Sequence, residues 1–512
     1  MLTPIPLLHP ARRRRIPERP GWGARTGAPP RRGARTGIQR RSLGPSLTVV
    51  LCVCLLLGLT AAARGREGKD DAGESAPSYI IDSIKIRGNS KTRDYVIARA
   101  LEVSAGERLS VDDIRFDLSR FRVLALGYFS EVRLKLEKGA RRGHVILVVD
   151  VVERGTIVLT EIFLGTSEAT DAWGGLGLAE HNFLGHGISV EGAFVLGTDP
   201  LVERGAVQQS YRLRVSSRQL GRTALSVSGS FMYLDGSEFF RKTGLENSSD
   251  PDDFTTLRYR RVGGTLGLGF DVARFMRMYV DYRGERIDAD IPIVVGLGSP
   301  IDFGIRDGTS VLSAINLMLE RDTRSDPVLP QRGGLLNLAG LFCSGVVGST
   351  YDFLKLSASY EHFFPVPWGH ILALQVRGGI LFGQAPFFEK FFLGDFNDLV
   401  PGRALGLNFS TLPSRDIFGT AIDSKRYEEF ALRLGVEYII PWFRGGRYAY
   451  GGDFFFNLGL ISLTSRDELR VRDRPLSESI PVDLTVDAGL RLDTFIGIFR
   501  LSIGNFLGRI PF

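Results

Sequence analysis

The chain has 512 residues, 44% hydrophobic and 24% charged, with a formal net charge of +7. The basic excess lies at the front: residues 1–63 hold 11 of the Lys and Arg and a single Glu, so the rest carries 53 basic against 56 acidic residues, a net of about −3. That balance excludes a nucleic-acid partner. With Cys52 and Cys54 in the leading segment and Cys343 alone afterwards, the chain also excludes a disulfide framework.

Within residues 1–63, the run Pro45–Ala63 follows a basic stretch and ends on small residues, as in a cleaved secretory signal peptide. Its roughly 17 apolar or small residues are short for a membrane-spanning helix. Residues 64–76 form a polar linker, and residues 77–154 have the pattern of a small α+β domain of order βααββ. Tyr79–Ile86 alternates as a strand, Lys91–Leu101 fits a helix, and Val111–Leu126 fits a second helix with Asp112 and Asp113 in its first turn. Val132, Leu134 and Leu136 then alternate with Arg133 and Lys135, and a turn at Gly139–Gly143 leads into the apolar run Val145–Val152.

From residue 155 to 512 the chain is a series of roughly ten-residue stretches in which apolar and polar residues alternate. In Asp483–Asp493, Leu484, Val486, Ala488, Leu490 and Leu492 fall on one face, and Asp483, Thr485, Asp487, Arg491 and Asp493 on the other. Fifteen candidate strands follow, near 156–166, 171–181, 188–197, 208–217, 223–234, 255–270, 275–286, 309–321, 334–344, 351–362, 370–382, 428–440, 448–461, 482–494 and 497–505. This is the pattern of a transmembrane antiparallel β-barrel, although a soluble sandwich shares the alternation. The segment 383–427 has no period and is far longer than a hairpin needs; its Phe387, Phe388, Phe391, Phe392 and Phe396 predict packing. His181 and His186 form a loose pair in a Gly-rich turn, too weak a pattern for a metal site, and no metal or cofactor is expected.

Five ordered segments resemble one family. "IDSIKIRGNSKTRDYVIARALEVSAGERLS" with "LGYFSEVRLKLEKG" resembles a POTRA domain, the periplasmic module of BamA/TamA-type outer-membrane assembly barrels, with Gly88, Asn89, Thr92, Gly106, Gly127, Tyr128 and Phe129 at its landmarks. "GLGLAEHNFLGHG" resembles the family's first barrel hairpin through Asn182, Gly185 and Gly187, and "LERDTRSDPVLPQRGG" its mid-barrel turn through Asp322, Arg324, Pro330 and Gly333. "FFLGDFNDLVPGRALG" resembles the start of the long sixth extracellular loop, and "VEYIIPWF" with "FFFNLG" the strands after it. The resemblance implies a bacterial surface antigen type barrel of about 16 strands in a bacterial outer membrane, with the POTRA domain in the periplasm. It also implies that 383–427 folds into the lumen, where an Arg-Gly-aromatic tip pairs with wall carboxylates. Here the matching positions read Pro401, Gly402 and Arg403, and the wall offers Glu437 and Asn457. A pair between Arg403 and Glu437, with Asn457 giving a neutral hydrogen bond, is the expected lock.

No nucleophile elbow, phosphate loop or metal motif points to an enzyme. The resemblance implies an assembly factor that takes unfolded barrel clients on the domain's edge strand, at Val132, Leu134 and Leu136, and folds them at the seam between first and last strands. A translocator of secreted polypeptides and a passive pore stay open; a dedicated translocator has a plug helix ahead of its POTRA region, which the short polar 64–76 does not match. Expected partners are outer-membrane lipid, unfolded β-barrel or secreted polypeptide clients, and accessory periplasmic proteins or lipoproteins.

Overall fold

The computed structural model describes residues 78–110, 113–167, 170–199, 206–220, 223, 225–241, 254–273, 275–292, 303–396, 403–409, 427–446, 448–469 and 482–504. The expected signal peptide and linker lie outside them.

The N-terminal domain runs β1 (Ser78–Arg87), α1 (Asp94–Ala98), β2 (Arg108–Ser110), α2 (Ile114–Leu124), β3 (Phe129–Lys138) and β4 (His144–Glu153). Its sheet order is β2-β1-β4-β3, with β1 and β4 parallel and the other pairs antiparallel. The expected order βααββ omitted β2, whose three residues are too few to show a period. β4 is buried at both parities, with Leu147 and Val149 on one face and Val148 on the other, which accounts for its unbroken apolar run. Val145, Leu147, Val149 and Val151 from β4 meet Ile81, Val96, Ile97, Leu109 and Val123 in one buried core. Asp113 caps α2 by accepting from the Arg115 N–H at 2.9 Å. α1 is shorter than the expected Lys91–Leu101 because the N–H groups of Ser90, Lys91 and Thr92 bond the Glu153 carboxylate instead of opening a helical turn.

A three-residue link leads to the barrel strands: β5 (Ile157–Gly165), β6 (Trp173–Glu180), β7 (Ile188–Asp199), β8 (Ala206–Ser217), β9 (Ser226–Arg241), β10 (Phe254–Ala273), β11 (Met276–Asp290), β12 (Gly308–Asp322), β13 (Gly333–Cys343), β14 (Asp352–Pro365) and β15 (Ile371–Gln384). A looped segment holds the two short strands β16 (Phe391–Phe392) and β17 (Tyr427–Glu428), which pair with each other. β18 (Phe430–Arg444), β19 (Ala449–Thr464), β20 (Val482–Thr494) and β21 (Gly497–Gly504) complete the sheet. Apart from β16 and β17, all are joined antiparallel to their chain neighbours in one 15-stranded sheet, and β15 pairs directly with β18. The fifteen strands correspond one for one to those expected; the sixteenth that the resemblance implies is not among the strands of the described residues, and residues 505–512 lie outside them. After fourteen antiparallel steps β5 and β21 run in the same direction.

Burial separates barrel from sandwich. Along β19, Phe454, Phe456, Leu458 and Leu460 are exposed, while Asp453, Phe455, Asn457 and Ile461 are buried. On β20 the inward Asp483, Thr485, Asp487 and Asp493 are likewise buried. A side chain such as Leu or Phe left in water forgoes about 1.5–3 kcal/mol of burial. An exterior of this kind is stable against lipid, with the charged row turned to the lumen.

Candidate functional site

Between β15 and β18 the chain turns inward and packs on the lumen face of the wall. Phe387, Phe388, Phe391, Phe392 and Phe396 are all buried, in one cluster with Leu234, Leu257, Tyr259 and Leu312 of the wall. Phe387 meets Tyr259 edge to face at 5.2 Å, and Phe409 stacks on Trp173 at 5.1 Å. Each such ring pair adds about 0.5–1.5 kcal/mol beyond its buried area. Asn408 and Tyr427 both donate to Glu238 of β9, at 3.0 and 2.7 Å, and Ser210 of β8 donates to the Leu405 carbonyl at 2.9 Å.

A row of buried charges ties the loop to the wall. Arg261 of β10 bonds Glu285 of β11 at 2.7 Å, Arg283 bonds Glu285 at 2.5 Å and loop Glu389 at 2.7 Å, and Lys355 of β14 donates to the Glu389 carbonyl at 2.7 Å. Arg261 also lies 3.8 Å over the Phe388 ring. Beside this row the lumen keeps a cavity of about 580 Å³, lined by Arg214, Asp281, Arg283, Lys355, Met318 and Leu341 among others.

The expected lock is therefore corrected. Arg403 bonds Asp395 at 2.5 Å and the Phe388 carbonyl at 3.0 Å, so it braces the loop internally. Glu437 is held by Arg491 of β20 at 2.8 Å. With a closer cation on the neighbouring wall, Glu437 has no need of the loop guanidinium. Asn457 stands opposite Glu437 in the β18–β19 register, yet Asn457 Oδ1 and Glu437 Oε2 have no hydrogen-bond partner among the described residues. Pro401 and Gly402 lie outside the described residues. The loop-to-wall ion pair exists with its polarity reversed: the loop supplies the acid, Glu389, and the wall the base, Arg283.

The N-terminal domain is seated on the barrel turns by a second set of contacts. Glu153, at the end of β4, accepts from the N–H groups of Ser90 (3.0 Å), Lys91 (3.0 Å) and Thr92 (2.7 Å) and from Ser90 Oγ (2.7 Å). Partial burial alone would raise its pKa; the hydrogen bonds from Ser90, Thr92 and Lys91 outweigh that and hold the carboxyl below its ordinary value. Gly88, at φ +89°, lets this loop pass the Val151 carbonyl, which a Cβ would meet at 2.0 Å. Asn89 bridges the Thr92 carbonyl and Asp94 at 2.9 and 2.6 Å. Across the junction Asn182 donates to Thr92 Oγ1 at 2.9 Å and accepts from the Gly187 N–H at 2.8 Å, while Arg93 N–H donates to the Gly185 carbonyl at 3.1 Å. A Cβ at Gly185 would lie 2.2 Å from the Lys91 carbonyl. His186 Nδ1 pairs with Tyr95 OH at 2.7 Å and His181 Nδ1 with Ser189 Oγ at 3.1 Å, so both histidines have protein partners. Burial pushes the Tyr128 phenol up to about 12. Farther round the rim Arg122 of α2 reaches Asp271 of β10 at 3.3 Å. The remaining landmarks, Asp322, Arg324 and Gly333, build the β12–β13 turn: Arg324 bonds Asp322 at 2.8 Å, and Gly333 at φ +85° approaches the Thr323 carbonyl.

Among the described residues, two long strand edges lack a full partner, beside the three-residue β2. β3 pairs only with β4. The expected client residues on it are corrected: Val132 is buried and Leu134 and Leu136 pack on the core, because the apolar row of a two-faced strand belongs to its own domain. What β3 offers outward is its unpaired backbone and the charged row Glu131, Arg133 and Lys135. The second opening is the seam between β5 and β21, where the described residues of the two ends share one backbone hydrogen bond, Leu159 N–H to the Ile496 carbonyl at 2.7 Å. Sequence reasoning missed Arg261, Arg283, Glu285, Glu389, Arg154 and Asp493. A signal existed for one of them: Glu389 stands in a run of four phenylalanines, where an acid needs a buried partner.

The Omp85 superfamily domain profile matches residues 182–509, and a POTRA profile, described as a surface antigen variable number repeat, matches residues 79–154. The chain is 24% identical over 331 residues to the outer membrane protein assembly factor BamA of Nitratidesulfovibrio vulgaris, covering 62% of this chain and 37% of that protein. It is 23% identical over 451 residues to the BamA of Neorickettsia risticii, covering 85% of this chain and 53% of that protein. It thus spans about half or less of the length of these relatives. Among solved structures, BamA from Haemophilus ducreyi lacking POTRA domains 1–3 superposes with a TM-score of 0.46 at 15% identity, covering 85% of this chain and 82% of that one. CdiB from Escherichia coli gives 0.48 at 12% identity, covering 91% and 96%.

Proposed function

The chain belongs to the Omp85 superfamily, and from that premise we propose that it is an outer-membrane protein assembly factor. It sits in a bacterial outer membrane with its POTRA domain in the periplasm, receives unfolded barrel clients along the β3 edge, and supports their folding at the seam between β5 and β21. The observation that carries this reading is that, among the described residues, β3 and the β5–β21 seam both present long edges without a full partner, because an unpaired edge binds an extended chain by adding it as a strand. The charged row of β3 keeps that edge soluble while its backbone groups remain available. Nothing in the reading calls for bond chemistry, and we propose no catalytic role. The packed loop speaks against a passive pore, since it lays aromatic side chains on the lumen face of the wall.

Reconstitution into lipid vesicles with an unfolded outer-membrane barrel as client tests this. The chain is expected to accelerate client folding, and deletion of residues 79–153 to weaken the acceleration. Vesicles that leak ions while client folding stays at its spontaneous rate would overturn the proposal in favour of a translocator or pore.

A further inference from the structure

The two barrel ends touch at one place only among the described residues, and one side chain organises it. Arg154 is the first residue of the link between the POTRA domain and β5. Its backbone N–H donates to the Tyr128 carbonyl at 2.9 Å, at the start of β3. Its guanidinium crosses the seam and grips Asp493 in a fork, at 2.7 and 3.2 Å, while also donating to the Thr494 carbonyl at 2.9 Å. The same group lies 4.4 Å over the Tyr450 ring of β19. Both charged side chains are withdrawn from solvent, Arg154 at 9% exposed and Asp493 at 8%. The backbones close in beside this fork: a Cβ at Gly155 would stand 2.7 Å from the Phe495 carbonyl, and one at Gly497 the same distance from the Leu159 carbonyl. Beyond this point the described residues of β5 and β21 share no backbone ladder.

We propose that Arg154 is a positioning residue that pins the POTRA end of the seam, so that β5 and β21 part progressively from the far end about a fixed base. This deepens the assembly reading, since it names the residue that sets where a client strand finds room. A forked guanidinium suits such a pin because it holds carboxylate, carbonyl and ring at once, which a lysine cannot. Because Arg154 also anchors the start of β3, the POTRA edge keeps one fixed offset from the seam, and a strand leaving the first edge meets the second at a constant position.

Pulsed electron resonance on the full chain in vesicles tests this without any client. In a background carrying Cys52→Ser, Cys54→Ser and Cys343→Ser, spin labels are placed at Ile157→Cys with Ile498→Cys near the pin, and at Leu164→Cys with Leu501→Cys away from it. The expected result is a narrow distance distribution for the first pair and a broad one for the second. Arg154→Gln and, separately, Asp493→Asn should broaden the first distribution toward the second, with Arg154→Lys intermediate and the heat-modifiable mobility of the folded barrel retained. A first pair that stays narrow in both variants would overturn the pin, as would one that is already broad in the unsubstituted chain. Client folding measured on the same variants separates the two readings: a widened seam with an unchanged folding rate would leave the pin standing and count against the assembly function.

Discussion

The lumen loop and the POTRA junction both fasten a part of the chain to the barrel wall, and they do so with a different balance of groups. The loop is held by side chains: five buried phenylalanines and a row of charges running from Arg261 through Glu285 and Arg283 to Glu389. The junction adds backbone to its side-chain pairs: N–H groups on Glu153, carbonyls of Gly185 and Lys91 at close approach, and neutral amides at Asn89 and Asn182, beside Tyr95–His186 and Arg122–Asp271. A side-chain fastening can exchange acid for base and still hold, as the reversed Glu389–Arg283 pair does. A backbone fastening has no such freedom, because a glycine at positive φ or an amide between two fixed groups has few substitutes.

The largest expected effect breaks the loop side of this contrast. Glu389→Arg faces Arg283 with a like charge in a buried site, and removing one partner of such a pair costs about 3–5 kcal/mol. Ion conductance in planar bilayers should rise as the loop leaves the lumen, and Arg283→Glu with Glu389→Arg together should recover part of the closed state. An unchanged conductance in Glu389→Arg would mean that the aromatic cluster alone holds the loop. Arg403→Ala and Glu437→Ala sharpen the same point: with separate partners, their effects on thermal unfolding should add. A coupling energy above about 0.5 kcal/mol would restore the pair that the sequence suggested.

On the junction side, Gly185→Ala sets a methyl 2.2 Å from the Lys91 carbonyl at a φ of +78°. A loss of about 1–3 kcal/mol is expected, by the scale of overpacked sites, with faster hydrogen exchange over residues 89–99. Asn182→Ala should loosen the same amides less, by about 1 kcal/mol per hydrogen bond. Equal protection in both variants would show that the domain is seated by something else.

The smallest effect is that of pH. The folded-state pKa of Glu153 is lowered, so its contribution is fully present above the ordinary value of 4.5 and is lost as pH falls through the lower folded value. Exchange protection of the Ser90–Thr92 amides should fall in that acid range and not between neutral pH and about 5. Glu153→Gln should remove the dependence.

The same contrast decides how much could be read in the sequence. All fifteen described barrel strands were legible, because lipid outside and water inside impose an alternation that every strand repeats. Gly88, Asn89, Asn182 and Gly185 stood out in the sequence as landmarks of the resemblance, but the contact that joins them was not legible, since no spacing rule pairs Thr92 with Asn182, 90 residues away. The loop was legible as a packed segment through its phenylalanines, but its lock was not. Arg403 and Glu437 each found a nearer partner, Asp395 and Arg491, and no spacing rule reports which of several buried charges will meet across a lumen. Arg154 was hidden for the same reason: Asp493 lies 339 residues away.

The central claim, that clients pair at the open seam, is tested most directly by site-specific photo-crosslinking to an arriving client chain. A photoreactive residue at Leu164 or Leu501 should capture the client, and the same residue at the equally exposed Leu266 of β10 should not. Capture from the lumen face at Ser230 and Thr265, with none at the seam, would contradict the account and identify a path through the barrel.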